Sequence, residues 1–464
     1  MESVKPLSAR HESLQSKKQD NLTKPSLWKL FEVCLKIGLL SFGGPAAQIS
    51  LMHKAFVDEH KWLSEQQFLN ALGFCMLLPG PEAMQLATYA GWRVKGVIGG
   101  LIAGLLFVIP GALVILLFAA LYVLYQGETV NGIELVSALF LGIKAAVVII
   151  VFEALRKVAN KALKQRSHWV MAGLSFIAIY FFAIPFPLII LAAAVYGFFA
   201  VRLGAIKSEP IQNDLQNPEG SKKQSLKKTL AIACIGCCLW LVPILVLMHF
   251  SSLPILTEIA SFFAKLAVVT FGGAYAVLVY MTQDVVTQFG WLNAGEMMDA
   301  LGLAETTPGP LILVTEFVGF IAAFREGGLA VGIIGALVTL WVTFVPCFIW
   351  IFVGAPYIEW MHSQQRLSAA LSSITAAVVG VILNLSIWFS LHVLFADVNA
   401  QTWPLSEMFG LNFTWWQPQL NSFDWRVLVL ISLSAGLYFY KRWGVFSLLA
   451  SSSFVGWGLV VLTT

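Results

Sequence analysis

The stretch Leu72–Trp92, LGFCMLLPGPEAMQLATYAGW, is an apolar segment interrupted at its centre by Pro79-Gly80-Pro81. Proline lacks a backbone donor and its ring clashes with the preceding helical turn, so this segment cannot form one continuous helix. A similar stretch in the second half of the chain, Leu301–Phe320, reads LGLAETTPGPLILVTEFVGF. Backbone groups freed by a break inside a membrane need protein or water partners. Because the break occurs in both halves, it predicts a binding site.

The composition indicates a membrane protein. Of the 464 residues, 58% are hydrophobic and only 12% are charged, whereas soluble domains carry about 25% charged residues. Apolar runs of about 20 residues, long enough to cross a hydrocarbon core, recur from Trp28 to the end of the chain. We therefore predict an all-α polytopic membrane protein. The small net charge of +4 indicates no nucleic-acid partner.

The chain is a duplicated unit. Phe42 and Phe271 have the same separation in sequence as Pro79 and Pro308, so the two halves match without gaps over this length. Further along, GIKAAVV at Gly142–Val148 resembles SITAAVV at Ser373–Val379. We divide the chain into a cytoplasmic tail, a first repeat, a cytoplasmic linker, and an extra span followed by the second repeat, at residues 1–24, 25–203, 204–228 and 229–464.

Basic residues in short loops predict the orientation. The polar tail, which does not resemble a signal peptide, the loop Arg156–Arg166 and the linker carry many of the Lys and Arg residues, so we place them in the cytoplasm. Gln126–Gly132 and Val393–Asp424 contain neither Lys nor Arg and are placed outside. The extra span Leu230–Phe250 adds one crossing, so the two repeats are predicted to have inverted topology. That architecture is typical of secondary transporters with a site near the membrane midplane.

Four motifs resemble the chromate ion transporter (CHR) family in its long two-repeat form. They are SFGGPAAQ at Ser41–Gln48, LPGPEAMQLATYAGW at Leu78–Trp92, TFGGAYA at Thr270–Ala276 and TTPGPLILVTEFVGF at Thr306–Phe320. The resemblance implies a multi-pass inner-membrane transporter of chromate, and of sulfate-like oxyanions, that works by efflux and confers chromate resistance. One departure is Glu316, where the family pattern leads us to expect Gln.

The breaks themselves suit a tetrahedral oxyanion. Helix N-termini offer unpaired N–H groups and the positive end of the helix dipole, and glycine allows close approach. Four such ends form the predicted substrate site, at Gly43-Gly44-Pro45, Pro79-Gly80-Pro81, Gly272-Gly273 and Pro308-Gly309-Pro310. The alternative is that they are kinks or close-packing points, since Gly and Pro are frequent in membrane helices.

Charged residues inside apolar runs are costly and need a role. Lys144 lies in the middle of an apolar run and is predicted to bind the anion; Lys36 and Lys265 precede the two Phe-Gly-Gly motifs and are predicted to balance charge. Alternatively, Lys36 and Lys265 extend to the interface. The acidic residues Glu82, Glu305 and Glu316 are candidates for coupling to protons or another counter-ion, although Glu82 also suits a helix-capping role.

Neutral polar residues near the breaks complete the predicted site. Gln48, Gln85, Thr306 and Thr307 can donate to oxyanion oxygens, or they can make helix-packing hydrogen bonds instead.

We therefore predict a secondary transporter of chromate, or of a related oxyanion such as sulfate, that uses alternating access, rather than an enzyme. An anion channel and a membrane-embedded reductase are the alternatives. A reductase would need redox ligands, and the only candidate, Cys234–Cys238, reads as packing residues in the unrepeated span. No cofactor or metal is expected. The oligomeric state is open, a homodimer being one option.

Overall fold

The computed structural model describes residues 25–127, 129–130, 133–200, 226–250, 253–271, 273–358, 364–406 and 411–463. In these ranges the first repeat forms helices α1 (Leu27–Leu40), α2 (Gly44–His53), α3 (Glu65–Cys75), α4 (Glu82–Tyr125), α5 (Leu135–Ala162), α6 (Arg166–Phe182) and α7 (Phe186–Ala200). The extra span is α8 (Leu226–Phe250). The second repeat forms α9 (Pro254–Val269), α10 (Ala274–Gln283), α11 (Ala294–Thr306), α12 (Val314–Gly354), α13 (Gln365–Leu394), α14 (Trp425–Ala435) and α15 (Val445–Thr463).

Six of the described helical segments are long and apolar enough to cross a membrane. They are Glu82–Tyr125, Val136–Ala162, Lys227–His249, Leu311–Tyr357, Gln365–Leu394 and Val445–Thr463. The predicted all-α polytopic class is therefore confirmed. The tail at 1–24 and nearly all of the linker at 204–228 lie outside the described residues, and the domain boundaries stay predictions.

The same local signals shape corresponding helices of the two repeats. Ser64 begins α3 with a capping box that includes Gln67, and Asn293 begins α11 with a capping box that includes Glu296. In each case the cap side chain accepts from a backbone N–H of the first turn, while the partner side chain accepts from the cap's own N–H. α2 and α10 also both continue into a π-helical turn, at Lys54–Glu59 and Asp284–Gln288.

α4 and α12 are each helical hairpins, because each chain turns back at a glycine. The turns are at Gly96, with φ of 64°, and at Gly328, with φ of 73°. The arms pack closely: a Cβ added at Gly91 would collide with the carbonyl oxygen of Gly99. At 1.5 Å per residue, the first arm of α4 is about 20 Å long, which is shorter than a hydrocarbon core of about 30 Å.

The segment Val393–Asp424, expected to be an external loop, contains an antiparallel hairpin. Its strands are β3 (Val398–Ser406) and β4 (Leu411–Pro418), and a second, very short hairpin pairs β1 (Thr129–Val130) with β2 (Ile133–Glu134). Threonine and aromatic residues, which favour strands, are frequent in β3 and β4. Phe413 stacks on Phe181 near the end of α6, with ring centroids 5.2 Å apart, and this contact holds β4 against the helices.

The two repeats pack across each other to form the core. α4 packs against α12, α5 against α13 and α15, and α7 against α13. Small residues allow these close approaches: Gly142 of α5 lies against the backbone of Ser452 in α15, and Gly197 of α7 lies against Ala369 in α13. The helix breaks of both repeats are brought together inside this core.

Candidate functional site

Each Pro-Gly-Pro break is hydrogen-bonded to the other repeat. The backbone N–H of Gly80 donates to the carbonyl oxygen of Thr270 at 3.1 Å, and that of Gly309 donates to the carbonyl oxygen of Ser41, also at 3.1 Å. Ser41 and Thr270 are equivalent residues directly before the two Phe-Gly-Gly motifs. The four breaks therefore meet as two reciprocal pairs.

Glycine is required at the centre of each Pro-Gly-Pro break. Gly80 has φ of 106° and Gly309 has φ of 90°, in the left-handed region that residues with a Cβ avoid. Space is also limited, since a Cβ at Gly80 would lie 2.8 Å from Sγ of Cys347. The turn conformation and the packing around it thus both depend on glycine.

The two glutamines predicted to bind substrate instead bind freed backbone carbonyls. Nε2 of Gln48 donates to the carbonyl oxygens of Ser41 at 3.1 Å and Gly309 at 2.6 Å, and Nε2 of Gln85 donates to that of Pro79 at 2.7 Å. Both side chains are buried. They satisfy backbone groups that the breaks release from helical bonding. This is the helix-packing role that was the alternative to substrate binding for both glutamines.

A cavity of about 640 Å³ lies beside the breaks. The start of α2, the start of α4 and the start of α10 line it, together with α3, the end of α5 and the beginning of α13. Its volume is in the range of about 300–1,000 Å³ typical of small-molecule sites. Three helix N-termini therefore face one cavity.

The cavity takes in part of the predicted site. Its lining includes Gly43, Gly44, Pro45, Gly80, Glu82, Gly273 and Glu305. The predicted residues that do not line it, among those described, are Lys36, Gln48, Pro79, Pro81, Gln85, Lys144, Lys265, Thr306, Thr307, Pro308, Gly309, Pro310 and Glu316. Gly272 lies outside the described residues. The hydroxyls of Thr306 and Thr307 donate to helix carbonyls of Leu303 and Ala304.

Three lysines outside the Gly and Pro motifs of the sequence also line the cavity: Lys157 and Lys161 on α5, and Lys164 just after it. The spacing of Lys157 and Lys161 places them on one face of the helix. Nζ of Lys161 contacts Sδ of Met76 at 3.1 Å, whereas Lys157 pairs with Glu153 at 3.6 Å. The sequence signal is the basic segment Arg156–Arg166, which is expected to be a cytoplasmic loop but is helical as far as Ala162.

Two of the carboxyl groups predicted for coupling line the same cavity. Hydroxyl Oη of Tyr275 donates to Oε1 of Glu305 at 3.2 Å. A Cβ added at Gly273 would lie 3.2 Å from Oε2 of Glu82, so that carboxyl group covers the start of α10. Oε2 of Glu82 has no hydrogen-bond partner among the described residues. Both carboxyls are therefore placed where their protonation changes the charge of the cavity.

The remaining predicted charges lie elsewhere. Nζ of Lys144 is 3.0 Å from Oδ1 of Asp299 in α11. Lys36 and Lys265 are exposed on the outer faces of α1 and α9, and Lys265 lies 5.9 Å from the ring centre of Tyr280. Glu316 is buried at the start of α12, and its Oε2 has no partner in the described part of the chain.

The chromate transporter family profile matches both repeats, at residues 28–198 and 257–457. The chain belongs to the chromate transporter family. Membership agrees with the motif resemblance, and it makes this protein a chromate transporter of the multi-pass membrane type rather than an enzyme.

Individual relatives support the family assignment over most of the chain. A chromate transport protein of Pseudomonas aeruginosa is 32% identical over 424 residues, covering 88% of this chain and 91% of the relative. A probable chromate transport protein of Synechococcus elongatus is 29% identical, covering 77% and 83%. A chromate transport protein of Cupriavidus metallidurans is 27% identical, covering 77% and 81%. No solved structure matches the chain significantly.

Proposed function

We propose that this chain is a secondary transporter that moves chromate, or a related tetrahedral oxyanion such as sulfate, out of the cell by alternating access. It acts in the inner membrane with its N-terminus in the cytoplasm. The observation that carries the proposal is the cavity, in which three lysines face the N-termini of three broken helices.

The chemistry of the cavity fits a dianion. N–H groups at helix N-termini and the positive helix dipoles stabilise negative charge. Lysine ammonium groups add full positive charges, each at the end of a flexible stem that can adjust its position to a small anion. We expect Lys161 to make the main contact with the anion, since its own contact at 3.1 Å is to the thioether of Met76 rather than to a carboxylate.

The contacts between repeats support inverted topology. Nε2 of Gln126, just past the end of α4, donates to Glu296 at 3.3 Å, and Glu296 pairs with Arg325 at the turn of α12. The turn of the second hairpin thus lies beside the end of α4 that is far from the turn at Gly96. Lys161 near the end of α5 and Gln365 at the start of α13 line the same cavity. We assign this end to the cytoplasm because it carries basic residues.

The carboxyl groups of the cavity couple anion binding to proton binding. Three ammonium groups and three carboxyl groups line the cavity: Lys157, Lys161, Lys164, Glu82, Glu153 and Glu305. Glu153 is engaged by Arg156 through two hydrogen bonds, of 2.7 and 2.9 Å. Protonation of Glu82 and Glu305 leaves the lysines in excess and favours entry of a dianion. Proton binding and anion binding are therefore linked.

The membrane potential favours outward movement. Moving one charge through 100 mV corresponds to about 2.3 kcal/mol, so a potential that is negative inside favours exit of a dianion that crosses without protons by about 4.6 kcal/mol per 100 mV. Each proton that crosses with the anion lowers this driving force by about 2.3 kcal/mol per 100 mV. Efflux of this kind is expected to confer chromate resistance without a nucleotide-driven domain.

Flux in oriented proteoliposomes tests the proposal. We expect saturable uptake of labelled chromate, competition by sulfate, trans-stimulation by unlabelled anion and a dependence on an imposed proton gradient. A channel would give electrogenic flux without trans-stimulation, and a reductase would change the oxidation state of chromium without moving it. No chromate flux at all from inserted protein would reject the transporter assignment for this anion.

A further inference from the structure

A cluster of charged residues, built around the buried carboxylates of Glu296 and Asp299, lies on the side of the molecule opposite the cavity. In this outer cluster, Nζ of Lys144 in α5 is 3.0 Å from Oδ1 of Asp299 in α11. Hydroxyl Oη of Tyr122 in α4 donates to Oδ2 of the same carboxylate at 2.9 Å. Asp299 is only 6% exposed. One carboxylate of the second repeat thus joins two helices of the first.

A second ion pair completes the outer cluster. Nη2 of Arg325, at the turn of α12, is 2.5 Å from Oε1 of Glu296 in α11, and Nη1 also donates to the carbonyl oxygen of Trp291. Nε2 of Gln126, just past α4, reaches the same Glu296 carboxylate. The carboxylate of Glu296 is buried although Arg325 stays partly exposed. Burying charged groups costs desolvation energy that pairing does not reliably recover, so such pairs are better attested as devices that select one arrangement over another.

The contact between α11 and α5 has an equivalent with the two repeats exchanged, between α3 and α13, and that equivalent contact is open. Gly302 of α11 is packed so closely on α5 that a Cβ there would collide with Ile143. Its equivalent in the first repeat, Gly73 of α3, lines the cavity instead. Likewise Lys144 is bound to Asp299, whereas its equivalent, Thr375 of α13, lines the cavity. The α11–α5 contact is therefore closed and the equivalent α3–α13 contact is parted by the cavity.

We propose that the outer cluster of Tyr122, Lys144, Glu296, Asp299 and Arg325 is the closed outer gate of the transporter. The inference rests on the alternating access of the proposed function. When the gate opens, α11 separates from α5 while α3 closes on α13, so that the cavity moves to the other side of the membrane. The ion pair between Lys144 and Asp299 then breaks, and Lys144 lines the new outer cavity. There its ammonium group faces an incoming or departing oxyanion.

Thiol labelling tests the gate without any substrate. In the full-length protein with its six native cysteines replaced, Ala304→Cys places a reporter at the position that Cys75 holds in the cavity wall of the first repeat. Ala304 is 5% exposed. A membrane-impermeant maleimide is added from the outer side to the parent, to Lys144→Met and to Asp299→Asn. We expect the reporter to react about tenfold faster or more in both variants, because losing one partner of a buried pair strongly shifts the equilibrium.

Two controls separate gating from misfolding. The exchange variant Lys144→Asp with Asp299→Lys is expected to return the reporter to the parental rate. Asp424→Asn, which removes the partner of Arg426 in an ion pair away from the cluster, is expected to leave it unchanged. A second reporter in the inner cavity, Ser372→Cys, is expected to react more slowly from the inner side when the gate is broken.

The outcomes are distinct from those of the transport assay. Unchanged labelling of Ala304→Cys in both inserted gate variants would overturn the gate, whatever anion is carried. Faster labelling of Ala304→Cys without slower labelling of Ser372→Cys would also overturn it, because it would mean local loosening rather than exchange of access. Normal gating with no chromate flux would instead reject the proposed function and leave the gate standing.

Discussion

The backbone N–H of Gly80 lies 3.1 Å from the carbonyl oxygen of Thr270, which ties the broken helix of one repeat to the glycine turn of the other. Gly309 and Ser41 make the reciprocal bond at the same distance. A break that exposes backbone groups in one repeat is thereby satisfied by the break in its counterpart, as a membrane interior requires. The breaks beside the cavity are therefore stabilised by hydrogen bonds between the two repeats.

Gly80→Ala is expected to impair both folding and transport. The substitution adds about 1–2 kcal/mol of left-handed backbone strain and brings a methyl group against Cys347. Gly328→Ala is the matched control, because Gly328 also has positive φ but nothing within 4 Å of an added Cβ. Thermal unfolding in detergent and chromate flux measure the two effects. Equal losses in both variants would show that the contact with Cys347 adds nothing to the strain.

Lys161→Gln is expected to weaken chromate binding by about tenfold, since a charge-assisted contact contributes roughly 1.5–3 kcal/mol. Lys36→Gln removes the same charge from the exposed face of α1 and is expected to leave the apparent affinity unchanged. Concentration dependence of chromate flux in proteoliposomes compares the two. Parental affinity in Lys161→Gln would exclude this lysine from the anion site.

The orientation is checked by labelling single cysteines in a cysteine-free background. Gly127 follows α4 and Gln365 begins α13, and both are exposed. We expect an impermeant reagent to label Gly127→Cys from the outside and Gln365→Cys only from the cytoplasmic side. Labelling of both from one side would contradict the inverted arrangement of the repeats and the cytoplasmic opening of the cavity.

The sequence was sufficient to locate the breaks because their chemistry is local. Proline and glycine at Pro79-Gly80-Pro81 interrupt a helix wherever the helix is placed, and duplication of the motif shows that the interruption is not incidental. The same reasoning applies to Glu82, which directly follows the first break, and to Glu305, which lies three residues before Pro308. Both glutamates line the cavity, as does Gly80 of the first break.

The rest of the site depends on packing that local sequence does not encode. Lys161 is one residue of a basic segment until folding places the end of α5 and the starts of α2 and α10 around one cavity, which Glu82 also lines. Lys36 looks functional because Lys265 repeats it, yet both point away from the cavity. The side-chain amides of Gln48 and Gln85 could donate to an anion, but in the structure they donate to backbone carbonyls that the breaks release from helical bonding.

The pH dependence of anion binding tests the coupling proposal. Raising the pH deprotonates the cavity carboxyls, adds negative charge beside the lysines and is expected to lower the affinity for a dianion. Glu305→Gln and Glu82→Gln cannot add that charge, so each is expected to bind more tightly than the parent at high pH and to show a flatter profile. Sulfate is a useful probe beside chromate because it remains a dianion across the neutral range. Glu316→Gln is the matched control, since this buried carboxyl does not line the cavity; a profile flattened by Glu316→Gln and not by the other two would move the coupling group to α12.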